Sequence, residues 1–252
     1  MRRNIPGCPD SSDVNALSPT SLKVSRSLAK TWTRRRVEPE VLDAIPPDHP
    51  EAKESRAELD TINLLMSNHH WVAGVLRRLH QPGWRLLEIG AGSGRLGKKL
   101  ADSGWPATAM IGMDVSGRPA QWPEPASWVK GDILQDAIPD AEVIVANLLL
   151  HQFKNEELKE LGRRLPAAAR VVISVDPLRA RRSLWMGRLV AFLTRMNRIT
   201  VHDMVLSVHA GFRGNELPDA LELQGWRTRA WSTFRGGYRM RADRLAGAHE
   251  SS

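Results

Sequence analysis

Only one cysteine, Cys8, occurs in the 252 residues, so an intrachain disulfide is excluded and no thiolate cluster is available for a metal. The eight histidines are scattered without a tight ligand spacing, and no structural or catalytic metal is expected. Long apolar runs are missing too. No stretch reaches the ~20 residues that cross a bilayer, and the basic start Met1-Arg2-Arg3 lacks the apolar core of a secretory leader behind it. These shortages predict a cytoplasmic protein. Acid is lacking in one place: between Asp176 and Asp203 stand Arg179, Arg181, Arg182, Arg188, Arg195 and Arg198 with no Asp or Glu, in a chain whose formal charge is +8. Such a run reads in three ways: as a solvated helix face, as a phosphate-tracking patch for RNA with strongly salt-dependent binding, or as a peripheral membrane contact. The last draws on the bulk of Leu184-Trp185-Met186 and Val190-Ala191-Phe192-Leu193 within the basic helix expected over 182–197.

Hydrophobic content of 42% and charged content of 25% are ordinary for a soluble globular chain, and the length suffices for one sizeable core plus an appendage. Residues 1–48 begin rich in Ser, Pro, Asn and charge without periodicity, and predict a mobile N-terminal arm. From Glu51 to Leu79 an apolar stripe runs through Leu59, Ile62, Leu65, Met66, Val72, Val75, Leu76 and Leu79, giving a helical cap segment over 49–82. A main domain over 83–246 and a tail over 247–252 follow.

Glu88-Ile89-Gly90-Ala91-Gly92-Ser93-Gly94 succeeds the apolar run Trp84 to Ile89 and precedes a helix-like stretch from Arg95 to Leu100. Three alternating glycines at a strand-to-helix turn let the main chain approach a ligand, and the helix start offers free N–H groups. An ordinary glycine turn is the plain alternative. A dinucleotide fingerprint would need glycine three places after the second one, and that place holds Arg95. The next apolar run, Ala107 to Met113, ends at Asp114, about twenty residues on, where a carboxylate can accept hydrogen bonds from ribose hydroxyls or serve merely as a strand-end turn. Ala126 to Ile133 reads as a short strand ending in Gly131-Asp132, and Ala141 to Phe153 as a fourth strand with the polar end Asn147-Leu148-Leu149-Leu150-His151-Gln152-Phe153.

The order and spacing of these four landmarks resemble the motifs of class I S-adenosylmethionine-dependent methyltransferases, with the acidic-x-Gly-x-Gly-x-Gly turn as the first motif and Asn147 to Phe153 as the fourth. The resemblance covers about Trp84 to Leu245. It implies S-adenosylmethionine as cofactor, held by Glu88, Gly90, Ala91, Gly92, Gly94, Asp114, Val115, Asp132, Ile133, Asn147 and Leu148, with Asp132 at the adenine amino group and Ile133 against the ring.

Downstream, Asn155 to Leu165 and Arg182 to Asn197 have helical periodicity, and Ala169 to Val175 is a β-branched fifth strand stopped by Asp176-Pro177. Trp226 to Phe234 and Tyr238 to Leu245 flank Arg235-Gly236-Gly237 as a hairpin. The expected fold is α/β, a doubly wound, mostly parallel seven-stranded Rossmann-like sheet ending in an antiparallel hairpin, with an N-terminal helical cap.

His151 follows the fourth strand, at the carboxyl edge where open α/β sheets bind ligands, and is the first candidate for a general base; it can equally cap the next helix or line the donor pocket. The segment 198–218 is longer than a simple connection and reads as a lid or acceptor-binding insertion, with a Gly211/Gly214 pair as hinge. Its Ser207-Val208-His209-Ala210-Gly211-Phe212 is similar to segments of bacterial small-molecule methyltransferases. His209 is the second catalytic candidate, and His202, Asp203 and Arg213 are acceptor-site candidates, as are Asn63, Asn68, His69 and His70 on the cap. Prolines are absent from 147–153, whereas base methyltransferases of this fold often carry Asn-Pro-Pro-Tyr-like ends, so nucleic acid is unlike the expected partner. The reading is methyl transfer to an oxygen of a small secondary metabolite or lipid-like acceptor, with RNA methylation or a non-catalytic binding protein of this fold as alternatives.

Overall fold

A computed structural model describes residues 32–46 and 49–245; the arm expected before residue 32 and the tail expected over 247–252 lie outside the described residues. Seven strands form one sheet in the order β3-β2-β1-β4-β5-β7-β6. They are β1 (Leu86–Ile89), β2 (Met110–Asp114), β3 (Ser127–Lys130), β4 (Val143–Asn147), β5 (Val171–Pro177), β6 (Trp226–Ser232) and β7 (Gly237–Arg244). The first five are parallel, and β7 runs antiparallel between β5 and β6, pairing Val175 with Arg239 and Asp176 with Tyr238.

Residue alternation explains how both faces are covered. On one face Leu87, Ile89, Met113, Ile144, Ala146 and Val172 meet Leu158 and Leu161 of α5 (Asn155–Arg163) and Leu217 and Leu221 of α8 (Glu216–Leu221). On the other, Leu86, Met110, Val143, Val145, Val171 and Ile173 meet Val72 and Leu76 of α3 (Asn68–Leu79) and Leu96 and Leu100 of α4 (Arg95–Asp102). Each fully buried Leu, Ile or Val contributes roughly 1.5–3 kcal/mol, so the strands need no solvent-facing side and read as continuous apolar runs.

The cap consists of two helices. Ser67 adopts a left-handed conformation, φ 55°, between α2 (Pro50–Met66) and α3, which turns the chain so that α3 lies on the sheet while α2 packs on α7 (Arg198–Ala210). Asn197 fastens that second contact: its side chain accepts the Thr200 N–H and its own N–H donates to Glu58. The helix expected over 182–197 is α6 (Arg181–Thr194), stopped by Arg195 at φ 53°.

Two expectations about connections change. The long segment 198–218 is mostly helix, α7 and α8, with Phe212 bridged to Leu178 between them. A Cβ at Gly211 would run into the Pro177 carbonyl, so this glycine permits close packing and does not serve as a hinge. Residues 32–46, expected to belong to the mobile arm, are docked in the structure. A short helix α1 (Val41–Ala44) starts with its Val41 and Leu42 N–H groups bonded to the Asp203 carboxylate. Arg35 donates to the Ala210, His151 and Phe153 carbonyls and lies over the Phe212 ring.

Candidate functional site

The carboxyl ends of β1, β2 and β4 meet at the glycine turn. Gly90, Gly92 and Gly94 all have positive φ, at 64°, 48° and 75°. The turn is drawn to β2 by the Gly90 N–H on the Met113 carbonyl and to Asp114 by the Gly92 N–H on Oδ2, 2.9 Å. Asp114 Oδ1 accepts from the Ser116 N–H and hydroxyl. What surrounds the three glycines differs. A Cβ at Gly90 would stand 2.6 Å from Leu149 Cδ1, and one at Gly94 would stand 2.9 Å from Pro119 and 3.1 Å from the Trp122 nitrogen, whereas one at Gly92 would meet nothing nearer than the Gly90 carbonyl at 3.9 Å. Gly92 therefore borders open space.

Three side chains near this edge hold unsatisfied polar atoms. Glu88 is 3% exposed and its Oε2 has no hydrogen-bond partner. Burial, reinforced by the charge of Asp114, pushes its carboxyl well above the usual range against the opposing pull of the Gly97 N–H. Asn147 donates from Nδ2 to Asn63 Oδ1 at 3.0 Å, and Asn68 donates to the same oxygen at 3.2 Å. The Oδ1 atoms of both Asn147 and Asn68 are buried without partners. Leu148, next in the chain, sits at φ 53°, a strained conformation for a side chain of this size. Asn63 also lines a cavity of about 200 Å³ with Asp60, His69, His70, Arg95 and Lys99; burial and the neighbouring cations lower the His69 pKa to about 4.

The remaining expected cofactor residues fall along the same edge. Val115 is 66% exposed after β2, Ala91 is buried in the turn, and Ile133 is buried among Leu87, Ile89 and Met113. Asp132 accepts the Leu134 N–H and the Gln135 side-chain amide, which shapes the turn after β3.

His151 lies in a 3-10 turn, Leu150–Gln152, and is buried between two carboxylates. Its Nδ1 is 2.9 Å from Asp176 Oδ1, the backbone N–H donates to the same oxygen at 3.0 Å, and its Nε2 is 3.4 Å from Glu40 Oε1. Burial alone would lower its pKa, but Asp176 and Glu40 outweigh it and raise it to about 9. Ser174 donates to Asp176 and Ser207 to Glu40, so both carboxylates are themselves fixed. Both ring nitrogens therefore face a carboxylate oxygen, an arrangement that favours the protonated ring. Sequence reasoning had not singled out Asp176, Glu40, Ser174 or Arg35; only Asp176 carried a signal, as an acidic residue closing a strand at the ligand-binding edge.

The candidates from 198–218 are placed elsewhere. His209 stacks on Trp32, ring centroids 4.6 Å apart, and burial lowers its pKa. Asp203 anchors α1, with His202 Nδ1 3.0 Å from it on the same helix. Arg213 bonds the Arg179 carbonyl, and its N–H bonds Glu216. Among the described residues no group of acidic, histidine and cysteine side chains could hold a metal.

Strand order, glycine turn and terminal antiparallel hairpin are those of the Rossmann-like fold of class I S-adenosylmethionine-dependent methyltransferases, and the chain has that fold. It is similar to the plantazolicin methyltransferase BpumL, solved with a pentazolic desmethylPZN analog and SAH, at a TM-score of 0.57 and 14% identity over 90% of this chain and 98% of that one. It is similar too to human N-acetylserotonin methyltransferase in complex with SAM, TM-score 0.52 and 14% identity over 90% and 68%, and to the pyocyanin biosynthetic protein PhzM, TM-score 0.52 and 18% identity over 79% and 60%. No family model and no curated protein matches the chain.

Proposed function

We propose that the chain transfers a methyl group from S-adenosylmethionine to an oxygen of a small organic acceptor. The observation that carries this is Glu88: a buried carboxyl with an unpartnered oxygen, beside a glycine turn that is open at Gly92, is suited to an ammonium group on a ligand that fits against main chain. The donor complexes of the similar structures support the choice of ligand. Asn147 would add its free Oδ1, and Asp114 would turn from the Gly92 N–H and Ser116 toward the ribose hydroxyls.

When bound, the donor supplies a methyl group already activated by its positive sulfur, so the chain mainly has to align the acceptor, exclude water and take up a proton. Asn63 ties the cap to β4 and thereby closes the site from the side of α2. In an in-line displacement the acceptor oxygen forms its bond to the methyl carbon as the carbon–sulfur bond breaks, and the hydroxyl proton leaves to a base. His151 is that base in this reading. It can accept the proton only once Glu40 withdraws and the Nε2 proton has left to solvent, because losing one of two carboxylate neighbours lowers the ring's pKa and leaves Nε2 with a free lone pair. The small acceptor is favoured over RNA by the fold relatives named for plantazolicin, N-acetylserotonin and pyocyanin.

Calorimetry with S-adenosylmethionine and with its demethylated product tests donor binding; no heat with either, from folded protein, overturns the reading. Radiolabelled donor mixed with cell extract then tests the acceptor class. Label in organic-extractable material supports a small acceptor, and label in RNA overturns it.

A further inference from the structure

Helix α6 is packed the wrong way round for a helix that only supports a core. Ser183, Gly187 and Ala191, four residues apart, form its inward face, and a Cβ at Gly187 would strike the Met204 sulfur of α7. Its large apolar residues point out. Trp185 is 67% exposed, Phe192 79% and Leu193 69%, with Leu189 at 42% between them. Positions 185, 189 and 192 share one helical face, with the exposed Arg181 and Arg188 beside it and the exposed Arg195 at the helix end, and among the described residues none of these three arginines has an ion-pair partner. Arg182 holds the start of the helix against the hairpin turn through Ser232 and the Thr233 carbonyl, and that turn adds Phe234, 83% exposed.

We infer that this face of α6, with Phe234 beside it, is a docking surface for an anionic lipid bilayer. Charge selects the occupant of this face. A second copy of the chain, meeting this face by a two-fold axis, would set arginines against arginines with no acid from 177 to 202 to relieve them. A nucleic acid would satisfy the arginines but leave the Trp185, Phe192 and Leu193 bulk in water. An anionic interface meets both needs, because acyl-chain boundary receives the rings while headgroups receive the guanidiniums. No described helix is long and apolar enough to cross a membrane, so the contact is peripheral. The inference goes beyond the proposed methyl transfer and stands or falls without it.

The test is co-sedimentation of the full chain with phosphatidylcholine vesicles with and without phosphatidylglycerol. Binding should require phosphatidylglycerol and weaken roughly fivefold for each of Arg181→Gln, Arg188→Gln and Arg195→Gln. Phe192→Ala, which keeps every charge, should weaken it by roughly tenfold or more. Far-UV circular dichroism of each variant establishes that it is folded, and Trp185→Ala is the second apolar variant should Phe192→Ala fail that check. Four results overturn the inference: no vesicle binding, equal binding to neutral vesicles, binding that ignores Phe192→Ala and Trp185→Ala and so marks a generic polyanion site, or a dimer in analytical ultracentrifugation that these same two variants dissolve.

Discussion

Replacing Gly92 and Gly94 by alanine separates what the glycine turn does for folding from what it does for a ligand. Both residues have left-handed φ, 48° and 75°, so alanine carries the same backbone penalty of about 1–2 kcal/mol at either place. The surroundings differ. At Gly94 the new Cβ lies 3.1 Å from the Trp122 nitrogen and 3.3 Å from its Cα, which are backbone atoms that cannot rotate away, and 2.9 Å from Pro119. Overpacking of this kind adds about 1–3 kcal/mol. At Gly92 nothing lies nearer than 3.9 Å, and no such addition arises. At about 2–4 °C per kcal/mol, Gly94→Ala should melt about 2–12 °C below Gly92→Ala in scanning calorimetry. Donor affinity should rank the other way among folded samples. Gly92→Ala places a methyl group in the space assigned to the donor and should weaken binding about a hundredfold or more, the equivalent of ~3 kcal/mol. Wild-type donor affinity in Gly92→Ala, or equal melting of the two variants, would show the turn to be oriented differently from the account given.

Glu88→Gln should weaken donor binding about ten- to a hundredfold, as expected when a charged hydrogen bond is lost. The same variant should melt higher than wild type at pH 8: a raised native pKa gives Glu88 stability that is full below its unfolded value near ~4.3 and lost as pH rises toward the native value, and glutamine has no such loss. His151, raised from 6.5 to about 9, gives stability that is full below its unfolded pKa and lost as pH climbs through that window, so His151→Gln should flatten the fall in melting temperature between those limits, which scanning calorimetry at stepped pH measures. In turnover assays His151→Gln should retain donor affinity and lose most of kcat; unchanged kcat refutes its role as base. Arg35→Ala removes the donor to three backbone carbonyls and should lower stability by about 2–4 kcal/mol in urea unfolding.

The sheet was legible because its strands are short apolar runs set between helical patterns, and because parallel strands covered on both faces leave no doubt about which residues go inside. The hairpin was legible from Gly236-Gly237. What the pattern could not show were the breaks within continuous periodicity. Ser67 interrupts an unbroken apolar stripe with a single left-handed residue, and nothing in its identity demands that conformation. The helices within residues 198–218 were hidden for the opposite reason: α7 is buried nearly all round, with Ile199, Asp203, Leu206, Val208 and His209 enclosed, so the one-sided stripe that announces a surface helix is absent.

The site divides along the same line. The half proposed for the donor is built by consecutive residues at strand ends, where glycine spacing carries the geometry, and the turn from Glu88 to Gly94 could be read directly. The other half is built by charges brought together across long separations: Glu40 reaches His151 from a segment whose composition resembled a loose arm, and Asp176 comes from the next strand. A buried imidazole flanked by two buried carboxylates satisfies itself only when all three arrive, which ties the docking of residues 32–42 to the protonation of His151. An acceptor hydroxyl that takes Glu40's place at Nε2 would therefore loosen the same segment that covers the site. On the proposed role of His151 as base, acceptor entry and the freeing of Nε2 would be one event, set by Glu40 from a distant part of the chain.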